Sequence, residues 1–352
     1  MNRREFLKTA TIASVGAVAA GRASAASAEG AKLALPPGEM FKGMSGAWAA
    51  MYTPYIPGDK SLQAPVNYEI IPKMVEYFVK KGLVGLYLTG STGEGFLLSH
   101  EERARIYRTV VDAAKGRLKV IAHIGCFSTA DAVRLAKAAA DAGVDWVSSV
   151  APVYFGQTFK AAYAHYEEIS KATSLPFLVY SVGKKIVPDE ALALMKLPNV
   201  HGMKYTGRDY YDHGTMCRKL EATGKPAIYF SGADEQALNG FATRRFSGCI
   251  GTTDNQIPGL FVKICELAAA NDFAAAAAYQ ERVCRYIDVH MTSGNASLSK
   301  AAMRYIGLDC GYSRRPAGLP YTEAEWEAHA ARLAALGDDV IRRDDARILG
   351  IV

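Results

Sequence analysis

The chain predicts an α/β fold, a (β/α)8 TIM barrel with a C-terminal helical extension, and three observations predict it. Short apolar runs alternate with amphipathic helical patterns from Gly46 onward. There are eight such runs with seven helices between them, the count of a parallel barrel, which commonly takes about 250 residues. The residues that close the runs are polar or glycine, where a barrel keeps its chemistry. An open doubly wound sheet shares the alternation but seldom needs eight even units.

The strands are expected at 47–51, 85–89, 119–124, 146–150, 177–180, 200–204, 227–231 and 249–251. The helices are expected at 66–81, 99–115, 129–142, 160–173, 188–197, 210–223 and 235–246. Ser99 stands three residues ahead of Glu102, a capping arrangement, and Ser128 or Thr129 stands similarly before Asp131. Gly82, Gly116 and Gly143 sit where helices should stop. After the eighth strand about a hundred residues of helical pattern follow, including the alanine-rich 268–279, with no Pro/Gly/Ser linker to mark a second core. The chain therefore divides into 1–28, a linker 29–45, the barrel 46–255 and an extension 256–352.

The first 28 residues read as an export signal: a charged start with Arg3, Arg4 and Lys8, a diluted apolar run from Thr9 to Ala20, and small residues through Ala25 and Ala28. The paired arginines ahead of Phe6-Leu7-Lys8 resemble a twin-arginine signal, which implies export after folding, to a bacterial periplasm, with cleavage near Ala25 or Ala28. The apolar run is too short to span a bilayer. The formal charge of +6 falls to +3 once this segment is set aside. That bias is too weak to suggest nucleic acid, and no polybasic run suggests a membrane surface beyond the signal itself. The six cysteines show neither Cys-x-x-Cys nor histidine neighbours at metal-ligand spacing, so no metal is expected.

Lys204 is the residue most out of place. It ends a short apolar run, and a buried ammonium loses its hydration. Burial favours the neutral amine, a nucleophile able to condense with a ketone to a Schiff base. A plainer reading has Lys204 ending the strand and reaching into water. The other strand ends are Gly90-Ser91-Thr92-Gly93-Glu94 after strand two, Tyr154 after strand four, Tyr180 on strand five and Thr206 beyond Lys204. Gly232, Asp234 and Glu235 follow strand seven, and Gly251-Thr252-Thr253 follow strand eight. The 90–94 turn offers N–H groups and hydroxyls to an anion, or is a simple capped turn. Tyr180 is either a core tyrosine or a partner for Lys204 on the next strand. Asp234 and Glu235 could equally be helix-start charges.

Taken together, Gly90–Glu94 as a turn, Tyr180, Gly202-Met203-Lys204-Tyr205-Thr206 and Gly248-Cys249-Ile250-Gly251-Thr252 resemble the signature segments of the dihydrodipicolinate synthase/N-acetylneuraminate lyase family. The resemblance runs from about Gly46 to Pro316 and is closer to the lyase branch. His123-Ile124-Gly125-Cys126, the run from Lys204 to Asp209, Gly232-Ala233-Asp234-Glu235 and Arg314-Arg315-Pro316 carry that preference.

The resemblance implies a pyruvate-dependent class I aldolase, a carbon–carbon lyase and usually a homotetramer, acting on a small-molecule 2-keto acid without metal or organic cofactor. It implies that Lys204 forms the Schiff base and that Ser91 and Thr92 hold the carboxylate. Tyr180 relays the proton, with Tyr154 contributing across a subunit interface. Thr206, Gly232, Asp234, Glu235 and Thr252 match positions that contact the polyhydroxyl part of the substrate. The leading expectation is cleavage of N-acetylneuraminate or a similar sugar acid. Other 2-keto-3-deoxy sugar acids, aromatic pyruvate adducts, dihydrodipicolinate synthesis and a non-catalytic sugar-acid binder are the alternatives. Three departures touch the substrate more than the reaction: Tyr180-Ser181-Val182-Gly183 replaces Tyr-Asn-x-Pro, Thr252-Thr253-Asp254-Asn255 replaces Ser-Thr-Tyr-Asn, and Tyr205 replaces a smaller polar residue.

Overall fold

Strands in the structure, a computed structural model, run in the order the sequence predicts: β1 (Gly46–Ala50), β2 (Gly85–Leu88), β3 (Lys119–His123), β4 (Trp146–Ser149), β5 (Phe177–Ser181), β6 (Val200–Tyr205), β7 (Ile228–Ser231) and β8 (Gly248–Gly251). Each pairs in parallel with the next, and β8 pairs with β1, so the sheet closes into a barrel. The structure describes Leu33 and residues 35–154, 158–182 and 186–352. The expected export signal at 1–28, with Ala25 and Ala28, lies outside the described residues. The described residues form one compact unit, so the barrel and the extension do not separate. Among the described residues no helix is long and apolar enough to cross a membrane.

The barrel helices are α1 (Ile71–Lys80), α2 (His100–Ala114), α3 (Thr129–Asp141), α4 (Phe159–Ala172), α5 (Pro188–Leu194), α6 (Tyr210–Glu221), α7 (Ala237–Ala242) and α8 (Pro258–Ala269). Ser99 and Glu102 form a full capping box on α2, and Ser128 accepts the Asp131 N–H at the start of α3. Gly82, Gly116 and Gly143 all have positive φ just past a helix.

The helical segments differ most from expectation at three places. α1 starts at Ile71 rather than 66, because Pro72 fits a first turn while Val66 pairs with Tyr55 in an isolated bridge. The 235–246 helix becomes a tight turn (Asp234–Gln236) and the six-residue α7, since both N–H and Oγ1 of Thr243 turn back to the Gly240 carbonyl and Arg244 is left-handed. The alanine-rich 268–279 run is broken where Asn271 takes φ 66° and Asp272 caps the next helix, α9 (Phe273–Met291). The extension continues through α10 (Ala296–Lys300), α11 (Ala302–Tyr305), α12 (Glu323–Ala335) and α13 (Asp345–Ile348).

Alternation along each strand sorts the side chains into two cores. One lies between sheet and helices and takes Ala47, Leu86, Val147, Met203 and Cys249. The other fills the lumen with Trp48, Tyr87, Ile121, Trp146, Leu178, Tyr180, Phe230 and Ile250. At the strand starts a short turn (Glu39–Phe41) brings Phe41 against the lumen residue Trp146 and against His201, stoppering that end. Buried aromatic packing there leaves the ends of the strands, where Lys204 and Tyr180 sit, as the approach for a substrate.

The extension reaches back to the 90–94 turn. Lys300, fully buried, donates to the Thr53 carbonyl (2.6 Å) and pairs with Glu94 (3.3 Å). The other Glu94 oxygen accepts the Arg314 N–H, and the Arg314 guanidinium is held in a bidentate pair by Glu102. A buried pair adds little net stability, but removing one partner strands the other. Lys300→Met is therefore expected to destabilise the protein by about 3–5 kcal/mol, measured as a lowered urea midpoint. An unchanged midpoint would show that Glu94 is not held by this pair.

Candidate active site

Register brings Lys204 and Tyr180 side by side: they are directly paired residues on β6 and β5, and both face the lumen. Lys204 is 4 % exposed. Its Nζ stands 4.4 Å from the Tyr180 ring centre and 4.5 Å from that of Tyr87. Among the described residues it has no hydrogen-bond or ion-pair partner. The two phenol rings meet edge to face at 5.9 Å, and His123, at the end of β3, packs edgewise on Tyr180 at 6.2 Å. The electron-rich ring faces attract the ammonium form, yet nothing ties up the nitrogen lone pair once the proton leaves.

The rings are themselves fixed. Tyr87 OH bonds Ser148 Oγ at 3.0 Å, and burial pushes the phenol well above its usual range, so it stays a neutral wall. Burial first, and the nearby Arg103 guanidinium second, hold the His123 imidazole down at about 3, neutral throughout the physiological range. Arg103 itself donates to the carbonyls of His123 and Gly125, pinning the β3 end.

After β2, the segment from Thr89 through the 90–94 turn is strained at two non-glycine positions, Thr89 (φ 50°) and Glu94 (φ 54°). Ser91 is exposed and Thr92 half-buried. Their N–H groups donate to no acceptor among the described residues, and Thr92 Oγ1 meets Thr252 Oγ1 at 2.6 Å across the mouth. Unpaired N–H groups and hydroxyls gathered on one turn have the chemistry to accept an anion. On the opposite side Gly232 leaves room for the lysine: a Cβ there would lie 2.2 Å from Thr206 Oγ1 and 3.0 Å from Lys204 Cε. Gly232→Ala is expected to displace the amine and cut turnover about a hundredfold with the fold intact by circular dichroism. Wild-type rates in that variant would show that the amine tolerates displacement.

The sequence profile of the Dihydrodipicolinate synthetase family matches residues 43–336. The chain belongs to this family. It is thereby an enzyme, a carbon–carbon lyase of the pyruvate-dependent class I aldolase type. It is 34 % identical over 276 residues to an N-acetylneuraminate lyase of Rhizobium meliloti (78 % of this chain, 89 % of that one). It is 33 % identical over 303 residues to a 4-hydroxy-tetrahydrodipicolinate synthase of Phenylobacterium zucineum (85 % and 97 %). Its fold is similar to the crystal structure of N-acetylneuraminate lyase from Mycoplasma synoviae, with TM-score 0.75, 29 % identity, and 86 % and 100 % of the two chains covered. It is also similar to the wild-type sialic acid aldolase of Ruminococcus gnavus, with TM-score 0.77, 27 % identity, and 85 % and 100 % covered.

Within this family frame the remaining predicted residues fall into four places. Thr206 and Thr252 flank the lumen mouth, and Thr206 Oγ1 is buried without a partner among the described residues. Glu235 stands at the rim, where Arg208 Nη2 reaches it at 3.0 Å. Asp234 turns behind β8: its Oδ2 accepts both the N–H (2.8 Å) and Oγ1 (2.7 Å) of Thr253, so its carboxylate clamps a loop on the helix side of the sheet. Tyr154 is 78 % exposed on the loop after β4, and its neighbours 155–157 lie outside the described residues, as does Gly183.

Sequence reasoning missed Tyr87, His123 and Lys300. Stepping back in twos along β2 from Thr89 puts Tyr87 on the lumen face, a signal that strand alternation offers. His123 was visible only as part of a motif, and nothing local marks Lys300, 206 residues from its partner Glu94. Among the described residues no group of three or more His, Cys, Asp or Glu side chains is placed to hold a metal ion.

Proposed function

We propose that this enzyme cleaves, or in reverse condenses, a 2-keto sugar acid, with N-acetylneuraminate or a similar sialic acid as the leading substrate and pyruvate and an aldose as products. The observation that carries the reading is the buried, unpartnered Lys204 Nζ between two phenol rings, one of them its register partner Tyr180. The lyase and aldolase relatives support it, and for the Ruminococcus gnavus aldolase a catalytic-lysine mutant has also been solved.

In the proposed reaction Lys204 Nζ adds to the C2 ketone and water leaves, giving a protonated imine. The C4 hydroxyl loses its proton, the C3–C4 bond breaks, and its electron pair passes into the imine as an enamine while the aldehyde departs. Protonation at C3 and hydrolysis then release pyruvate and the free amine. Tyr180 carries the proton in each direction, and Ser91 and Thr92 hold the C1 carboxylate. Thr206, Gly232, Glu235 and Thr252 face the distal hydroxyls, with Tyr154 completing the relay from a neighbouring subunit of a homotetramer.

A panel of 2-keto acids assayed for pyruvate release tests the substrate. Fastest cleavage of sialic acids supports the reading, and preference for another 2-keto-3-deoxy sugar acid overturns it. The synthase relative favours a second reading, dihydrodipicolinate-type condensation, which the same panel run with pyruvate and aldehydes separates. Periplasmic export rests on Arg3, Arg4 and the small residues at Ala25 and Ala28. Fractionation of cells making the native chain and an Arg3→Lys, Arg4→Lys variant tests it, and cytoplasmic retention of both rejects it.

A further inference from the structure

Behind β8, on the helix side of the sheet, two carboxyl groups converge on one glycine. Ile250 faces the lumen and Cys249 the helix layer, so Gly251 presents its bare face outward like Cys249. The point where a Gly251 Cβ would lie is 1.8 Å from Asp234 Oδ1 and 2.4 Å from Asp254 Oδ2, so the two oxygens are no farther apart than the sum of those lengths. Any side chain at 251 would displace them. Asp254 is 0 % exposed, and among the described residues its Oδ2 has no hydrogen-bond partner; Oδ1 lies 3.9 Å from the Cys249 thiol.

An orphaned carboxylate oxygen facing a second carboxylate oxygen, away from water, is an arrangement that two negative charges cannot hold. We propose that Asp254 is a protonated positioning residue. Its Oδ2–H donates to Asp234 Oδ1, leaving the pair a single negative charge that clamps Thr253 through Asp234 Oδ2. Thr253 follows Thr252, whose hydroxyl meets Thr92 in the proposed carboxylate cradle. The buried pair thus sets the position of the cradle's far wall from outside the lumen.

Burial is the main cause raising both carboxyls: Asp254 goes well above the usual range, with Cys249 and then Asp234 adding to it, and Asp234 rises less because the two hydrogen bonds from Thr253 pull it back down. The titratable groups whose charge reaches the pair are Cys249 of β8, Cys265 of α8, Glu235 after β7, Tyr52 after β1 and Tyr286 of α9 on its own side, and Lys204 of β6 from across the sheet, in contact with neither carboxyl. Lys204 is the cation among them. The folded protein keeps a proton that the unfolded chain releases above the ordinary carboxylate range, so this proton makes stability fall as pH rises from there. Replacing Asp254 by asparagine, whose amide donates without ionising, removes that dependence.

The effect on substrate rests on the aldolase reading, whereas the protonation state does not. Infrared spectra of the full chain, wild type minus Asp254→Asn at neutral pH, are expected to show a carboxylic-acid C=O band; its absence, as for an ionised pair or one holding a cation, overturns the proposal whatever the enzyme does. Pyruvate trapping by borohydride then reads the cradle. Asp254→Asn is expected to keep the half-saturating pyruvate concentration within about twofold, and Asp254→Val, without the donor, to raise it about tenfold, the loss of one charge-assisted hydrogen bond, with the maximal extent of trapping unchanged. Equal half-saturation in the valine variant, or an asparagine variant as impaired as the valine one, overturns it. Failure of wild type to trap pyruvate at all would reject the aldolase reading and leave the infrared result standing.

Discussion

Lys204→Ala is expected to lower turnover of every 2-keto acid by roughly four orders of magnitude or more, while leaving the fold intact. The lysine supplies both the nucleophile and the electron sink, so without it the developing carbanion has nowhere to place its charge. Packing gives the side chain a modest structural share. It lies between two aromatic rings with no hydrogen bond or ion pair to lose, so its removal strands no buried partner. Alanine leaves a small void, and the urea midpoint should fall only slightly. Steady-state pyruvate release together with the denaturation midpoint checks both halves. A variant retaining more than about a hundredth of wild-type kcat/KM would remove Lys204 from the chemistry.

Tyr180→Phe is expected to cost about 10²–10⁴ in kcat, the range of a lost general acid/base, with a smaller change in KM. The ring would still wall the lysine and still pack against Tyr87 and His123, which isolates the hydroxyl as the cause. Neither neighbour can take over. Tyr87 OH is committed to Ser148, and its proton is held well above the usual phenol range by burial, while His123 stays neutral with a value of about 3. Single-turnover trapping separates the stages. Imine formation that survives while C–C cleavage stalls assigns Tyr180 to the proton relay, and an equal loss of imine formation would place it in carbonyl addition instead.

All eight strands were legible because each is a short apolar run between amphipathic helices, and parallel strands buried on both faces leave that signature. The pairing of Tyr180 with Lys204 followed from strand order, since a barrel places consecutive strands side by side. What sequence could not show was side-chain direction beyond the strand ends. Asp234 looks like a mouth residue because it follows β7 by three positions, yet the tight turn at Asp234–Gln236 swings its carboxylate behind β8 to Thr253. The Glu94–Lys300 pair was illegible for another reason: its members meet only after the extension wraps back on the barrel, and no local pattern encodes a contact across that distance. Helix ends failed where a single left-handed residue, Asn271 or Arg244, overrode an alanine-rich or apolar run.

The most direct test of the central claim is pyruvate plus borohydride followed by intact mass and peptide mapping. A single reduced pyruvyl adduct on the peptide containing Lys204, absent from Lys204→Ala, is the result expected. An unmodified wild-type chain, or an adduct on another lysine that persists in Lys204→Ala, would contradict it.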